Sequence, residues 1–180
     1  MKQRLWNRNF TIITLGTAVS AIGGVALNIA LSLVVFDQTG SSLSTALFLV
    51  LSNLPALLVP LLLAPAMDHL PRKPFIYSMD FLTAALYLGF GVYLSVSDFN
   101  YGAYVALGVA GGFIGSVYSI AYGALYPDLV SAQCLEKAYS VSAVIYPIAS
   151  VVMSPVAAVI YQSIGIRWLF FGEGALTLIA

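Results

Sequence analysis

The chain of 180 residues is poor in charge, because Asp, Glu, Lys and Arg together make up only 8% of it. Soluble domains carry roughly 25% charged residues. Hydrophobic residues account for 61% of the chain, and a soluble domain of this length has too small an interior to hide that much apolar surface. The composition therefore predicts a protein whose solvent is the lipid bilayer.

Other scarce residue types exclude further classes of protein. Seven basic residues balance seven acidic ones, so the sequence predicts no nucleic-acid partner. Cys134 is the only cysteine, which excludes an internal disulfide and favours a small apolar filler near a helix end. There is one His and no Ser or Thr nucleophile beside a base, so we expect no catalytic residues, no metal or other cofactor, and no enzyme.

Long apolar runs fill most of the chain. The predicted spans are about 10–36, 43–67, 75–96, 102–125, 138–163 and 166–180. A spanning helix needs about 20 residues, which the first five runs provide. The last run would be only about 22 Å long, against a hydrocarbon core of about 30 Å. We therefore expect an all-α membrane protein, a bundle of six transmembrane helices with the sixth truncated, in a fragment of a longer protein or a prematurely ended one.

The basic residues predict the orientation of the chain. If the spans alternate in direction, one side of the membrane receives Lys2, Arg4, Arg8, Arg72, Lys73 and Lys137. Only Arg167 falls on the other side. The positive-inside rule then places the N-terminus in the cytoplasm, in a multi-pass protein of the plasma (inner) membrane. The apolar stretch after Arg8 is too long for a cleavable signal peptide.

A few polar side chains inside the spans are candidates for contact with a solute. Thr17, Ser20, Gly24 and Asn28 share one helix face. Asn28 is the costliest of these to expose to lipid, so it predicts either a helix–helix hydrogen bond or a substrate contact in a pore. The other candidates for the substrate cavity are Tyr118, Tyr122 and Tyr146, because a phenol combines an apolar ring with a hydrogen-bonding group.

The fourth span carries small residues at helical spacing. Its two stripes are Gly108, Gly112 and Ser116, and Gly111, Gly115 and Ser119. Small residues let helix backbones approach closely, so we interpret the stripes as packing surfaces rather than as solute contacts. After this span, residues 126–137 are predicted to form a polar loop, because they include Asp128, Glu136 and Lys137.

The charged loop between the second and third spans resembles a family motif. Asp68-x-x-x-Arg72-Lys73 is similar to the signature loop of the major facilitator superfamily, whose pattern is Gly-x-Leu-Ala-Asp-Arg-x-Gly-Arg-Lys/Arg. The positions at which the chain departs from that pattern include Ala64, His69 and Pro71. The charges at the centre of the motif are therefore present, whereas its glycines are replaced.

Two further stretches resemble the exporter branch of that family, which includes drug and siderophore efflux proteins. They are residues 39–41 (Thr-Gly-Ser) and residues 126–130 (Tyr-Pro-Asp-Leu-Val), the latter followed by Leu135 and Ala138. The resemblance covers essentially the whole chain as the N-terminal half of a twelve-helix transporter. It implies partners: a small-molecule substrate, the lipid bilayer and a C-terminal half.

The resemblance also implies a mechanism in which two six-helix halves rock around a central site, usually driven by a proton gradient. Asp68, Arg72 and Lys73, together with Asp128 at the end of the fourth span, would form the family's conformational charge relay. The alternative is a loop whose charges only hold the orientation of the chain.

The residue that couples transport to protons must differ from the fourth-span Arg of many relatives, because no Arg or Lys lies between Lys73 and Lys137. Glu173, flanked by Gly172 and Gly174, is the best acid inside a span and is the proton-coupling candidate. Its alternative role is an ion pair with Arg167.

The sequence therefore predicts a secondary active transporter, with proton-coupled efflux of a small amphipathic solute by alternating access as the leading function. The alternatives are a nutrient importer of the same superfamily and a non-transporting, half-length membrane protein.

Reporter tags test this topology. A tag at residue 70 and a tag at residue 100 should report opposite compartments, because one span separates them. Tags that report the same compartment would contradict the predicted crossing, as would a purified product that stays soluble and monomeric without detergent.

Overall fold

The computed structural model describes residues 5–67 and 72–179. Its helices are α1 (Arg8–Thr39), α2 (Ser42–Met67), α3 (Arg72–Val96), α4 (Tyr101–Leu129), α5 (Leu135–Ile164) and α6 (Ile166–Ile179), with a 3-10 turn at Ala132–Cys134. There is no strand among these residues. The all-α prediction is therefore confirmed.

Five of the described helices, α1 to α5, are long and apolar enough to cross a membrane. The chain is therefore a multi-pass membrane protein. Helix α6 has only 14 residues, so a sixth crossing and its truncation stay predictions.

The predicted polar loop at 126–137 is wrong at both ends. Residues 126–129 continue α4, and residues 135–137 already belong to α5, so the connection shrinks to residues 130–134. The polar residues at 126–129 and 135–137 do not end the helices, because a helix satisfies its own backbone hydrogen bonds and can continue as it leaves the lipid.

The shortest connections use specific turn chemistry. Gly40 ends α1 in the left-handed region (φ 61°) and its N–H donates to the Phe36 carbonyl at 2.8 Å. The Ser41 hydroxyl then accepts from the Ser44 N–H at 3.2 Å and caps α2. Only Gly165 separates α5 from α6, also with positive φ (81°). These caps let the chain reverse direction with very few residues.

The helices pack mainly in three pairs, α1 with α5, α2 with α4, and α3 with α6, and α1 also contacts α2 and α6. We call the end of the bundle where α1 begins the near end and the opposite end the far end. The far half holds a core from four helices: Leu27, Leu31, Val34, Val35, Phe48, Tyr104, Leu107 and Phe170. At the far rim, the Tyr161 hydroxyl donates to Asp37 Oδ2 at 3.0 Å, and the Tyr101 hydroxyl donates to the Ser44 carbonyl at 2.9 Å. These contacts fix α5 to α1 and α4 to α2.

One small-residue stripe of α4 packs on α2, as the sequence predicts. A Cβ added at Gly108 would overlap the Ser52 hydroxyl, and a Cβ added at Gly112 would overlap the Ser52 backbone carbonyl. The second stripe does not pack in the same way, because a Cβ at Gly115 would meet no atom within 4 Å. Close contact of α2 and α4 thus depends on glycine at two positions.

Replacing Gly112 tests this dependence. Gly112→Ala should destabilise the protein by about 1–3 kcal/mol, because the added methyl meets backbone that cannot rotate away. Gly115→Ala is the matched control on the same helix, where the methyl enters open space. The measurement is thermal unfolding in detergent, and equal melting temperatures for the two variants would contradict the close α2–α4 packing.

Candidate functional site

Glu173 is the one buried acid among the residues whose burial the structure describes. Its side chain is only 7% exposed, and its Oε2 has no hydrogen-bond partner among the described residues. An unpaired polar atom in an apolar interior is costly, so such a group in a native fold calls for an explanation. Glu173 is therefore the centre of the candidate site.

Aromatic packing fixes the rotation of α6 and turns Glu173 inward. Phe170, one turn before Glu173, is fully buried. The centre of its ring lies 5.1 Å from the centre of the Phe90 ring and 6.0 Å from the centre of the Tyr87 ring, both on α3. Residues three apart lie on nearly the same helix face. Because Phe170 points into the bundle, Glu173 does too.

The Glu173 carboxyl group rests against bare backbone of α1. A Cβ built at Gly23 would overlap the carboxylate, and a Cβ built at Gly24 would lie 3.7 Å from Oε1. We call the surface of Gly23 and Gly24 the glycine notch. Only glycine at position 23 leaves room for the acid at this distance.

The glycine notch lies at the midpoint of a membrane-spanning helix. Gly23 is 15 residues from the start and 16 from the end of α1 (Arg8–Thr39), which is about 22–24 Å from either end. Glu173 is therefore far from both surfaces, where an ionisable group is expensive to hold and is by default a candidate for function.

The neighbours of Glu173 are phenols rather than cations. Its carboxyl group lies within electrostatic range of the Tyr87 phenol of α3 and the Tyr146 phenol of α5. Arg167 is exposed, and its guanidinium lies 5.7 Å from the centre of the Trp168 ring. Six helical residues turn Arg167 about 120° away from Glu173, and no ion pair joins the two among the described residues. The structure therefore does not contain the ion pair between Glu173 and Arg167 that was the alternative role of Glu173.

The structure brings Glu173 and Tyr146 together but leaves the other cavity candidates apart. Tyr146 is 52% exposed, so it connects the buried acid with an open face. Asn28 is exposed and donates from Nδ2 to the carbonyl of Gly24 on its own helix at 2.9 Å. Tyr118 is partly buried on α4. The helix–helix hydrogen bond considered for Asn28 is replaced by this bond to its own helix, and a solute contact stays a prediction.

The predicted charge relay falls on residues that the structure does not describe in full. Asp68 lies outside the described residues. Arg72 and Lys73 open α3, and Asp128 lies in the last turn of α4, but their side chains are outside the described part, as is the side chain of Tyr122.

Sequence reasoning missed Gly23 and Tyr87 as members of the site. The signal for Gly23 was the adjacent pair Gly23-Gly24 in the middle of an apolar run, which is unfavourable in a helix interior without a packing reason. Tyr87 carried no such signal, since aromatic residues are common throughout this chain.

The arrangement has a limited chemical repertoire. Within the described residues no group of three or more His, Cys, Asp or Glu side chains is placed to hold a metal ion. A single carboxyl group between phenols and backbone has one simple activity, which is to take up and release a proton as its surroundings change.

Comparison with known proteins gives one family match. The family model described as Major Facilitator Superfamily matches residues 13–180, which include all six helices in whole or in part. No curated protein and no solved structure matches the chain.

Proposed function

The chain belongs to the Major Facilitator Superfamily of membrane transporters, and from this premise we propose that it acts in proton-coupled export of a small amphipathic solute. The observation that carries the coupling is Glu173, an acid 7% exposed at the depth of the α1 midpoint with an unpaired Oε2. The resemblance of residues 39–41 and 126–130 to exporters supports the direction of transport.

The physical basis of coupling is the cost of burying a charge. A carboxylate without a partner is expensive in an apolar interior, whereas the neutral acid is far cheaper to bury. Loss of the proton therefore favours a conformation that hydrates Glu173, and uptake of a proton favours one that buries it. A group with differential stability in two conformations can bias their equilibrium.

The solute site is proposed to lie beside this acid, where the bundle meets a second six-helix half. Tyr146 and Asn28 are both exposed, and both offer hydrogen bonds next to apolar side chains. Together with Tyr118 and Tyr122 they suit a solute that has an apolar body and a few polar groups. Alternating access would come from rocking of the two halves around this site.

Asp68, Arg72, Lys73 and Asp128 are proposed to latch one of the two conformations at the near end, which we place in the cytoplasm below the inner membrane. Charges at a helix boundary are partly desolvated, and breaking such a pair by removing one partner is destabilising by about 3–5 kcal/mol when the pair is buried. A pair that breaks and re-forms as a unit suits a two-state element.

Neutralising Glu173 tests the coupling. In everted membrane vesicles that contain the full-length protein, Glu173→Gln should abolish ethidium accumulation driven by a pH gradient, because glutamine cannot exchange a proton. Ethidium fluorescence after acidification of the vesicle lumen measures the transport.

Glu136→Gln is the matched control, since Glu136 is exposed at the start of α5, and it should retain wild-type accumulation. Normal accumulation by Glu173→Gln would remove Glu173 as the coupling residue. Wild-type movement of dye out of everted vesicles, along with the proton gradient, would support import instead.

Neutralising Asp68 tests the latch. Asp68→Asn should strongly reduce ethidium accumulation and leave membrane insertion intact, because the change removes one partner of the relay and no packing group. Asp98→Asn, at an exposed position after α3 on the far side, is the matched control. If Asp68→Asn transports dye as Asp98→Asn does, the loop has only a topological role.

A further inference from the structure

We propose that Gly23 is a positioning residue for Glu173: the glycine notch accepts the neutral acid and rejects the carboxylate, so that the contact between α1 and α6 opens when the proton leaves. The inference rests on the proposed proton coupling and adds to it the element of α1 that responds to the proton.

The Glu173 carboxyl group fits against α1 only because position 23 is a glycine. At position 23 the smallest side chain, a methyl group, would occupy the place of the Glu173 carboxylate. Positions elsewhere on α1 do not have this constraint, because a Cβ at Gly16 would meet no atom within 4 Å. The packing of α6 on α1 at this depth is therefore specific to glycine.

The backbone of the glycine notch offers hydrogen-bond acceptors but no free donor. Gly23 and Gly24 lie in the middle of α1, where the backbone N–H groups are already bonded to carbonyls four residues earlier. The notch therefore has no donor for a carboxylate. A protonated carboxyl group can donate to a helix carbonyl with a second lone pair; the Gly24 carbonyl is not such an acceptor, because Asn28 Nδ2 already donates to it.

The side chains around Glu173 are neutral among the described residues. The helices packed near Glu173 present Tyr87 from α3 and Tyr146 from α5, whereas α1 presents backbone and, one turn on, the Asn28 amide. On α6 itself, Arg167 is exposed and lies over Trp168. No cation among the described residues compensates the carboxylate in the notch. The ionised acid therefore faces neutral groups without a compensating cation, and water outside the glycine notch stabilises it better than the notch does.

The test uses the full-length protein in everted membrane vesicles and three variants: Gly23→Ala, Gly16→Ala, and Gly23→Ala combined with Glu173→Asp. Gly23→Ala should reduce ethidium accumulation driven by a pH gradient by about tenfold, a typical effect of an overpacked contact. Gly16→Ala should behave as the wild type. Aspartate is one methylene shorter and makes room for the added methyl, so the double variant should recover accumulation relative to Gly23→Ala.

A second readout needs no transported solute. Dicyclohexylcarbodiimide modifies protonated carboxyl groups in apolar surroundings, and mass spectrometry measures its attachment to Glu173 as a function of pH. Gly23→Ala should lower this labelling at neutral pH, because the displaced acid is more hydrated, and Gly16→Ala should leave it unchanged.

The outcomes separate the two proposals. If Gly23→Ala labels and transports as Gly16→Ala does, the notch is overturned whatever Glu173→Gln does. If Gly23→Ala loses transport with unchanged labelling and the double variant recovers nothing, Gly23 has only a packing role and the inference is likewise overturned. If labelling responds to Gly23→Ala but Glu173→Gln still transports, the notch stands and the proposed coupling function fails.

Discussion

The constraint on which the structure depends is that lipid offers no hydrogen bonds to a polypeptide backbone. Each crossing must then satisfy its own N–H and C=O groups, which leaves only helices in a chain of this kind. Lipid also removes the hydrophobic drive for helix association, because the tails are as apolar as the side chains. Association has to come from close packing, and for this reason glycine decides the contacts of α4 with α2 and of α6 with α1.

The same lack of hydrogen-bonding partners in lipid makes the stability of Glu173 depend on its protonation state. In water a carboxyl group that lacks one hydrogen bond is unremarkable, but at the depth of the α1 midpoint the missing partner leaves a group whose stability depends on its proton. Most buried residues that the structure describes are apolar, whereas Glu173 is a buried acid that lies against bare backbone. The proposed solute site beside that acid would be sensitive to protons through the geometry of two helices, with no basic side chain paired with the acid among the described residues.

Much of the fold could be predicted from the sequence, because membrane helices are encoded locally. Apolar runs predict the five long helices, and the small residues of α4 predict a packing stripe. The polar loop at 126–137 was wrong, since a helix can continue through Pro127 and Asp128 into the headgroup region. Composition identifies the residues that tolerate lipid, but it fixes helix ends less well.

The candidate site was predictable only in part, because its members are far apart in sequence. Glu173 is conspicuous as an acid within an apolar run, whereas its contact with Gly23 depends on how α1 and α6 are rotated against each other, which helical periodicity alone does not determine. Tyr87 enters the site because its ring, on α3, makes an edge-to-face contact with the Phe170 ring of α6. The ion pair with Arg167 was an open alternative at the level of sequence, and the structure does not contain it, because Arg167 is exposed over Trp168 whereas Glu173 is buried.

The single-residue joint at Gly165 has a mechanical consequence. With only one residue between α5 and α6, an axial displacement of α6 cannot be absorbed by slack and must be passed to α5. Helix α5 packs along α1, and the hydrogen bond from Tyr161 of α5 to Asp37 joins it to the last turn of α1. If proton loss at Glu173 displaces α6 as proposed, the displacement would pass from α6 to α5 and α1, and a change at one carboxyl group would shift a surface formed by three helices.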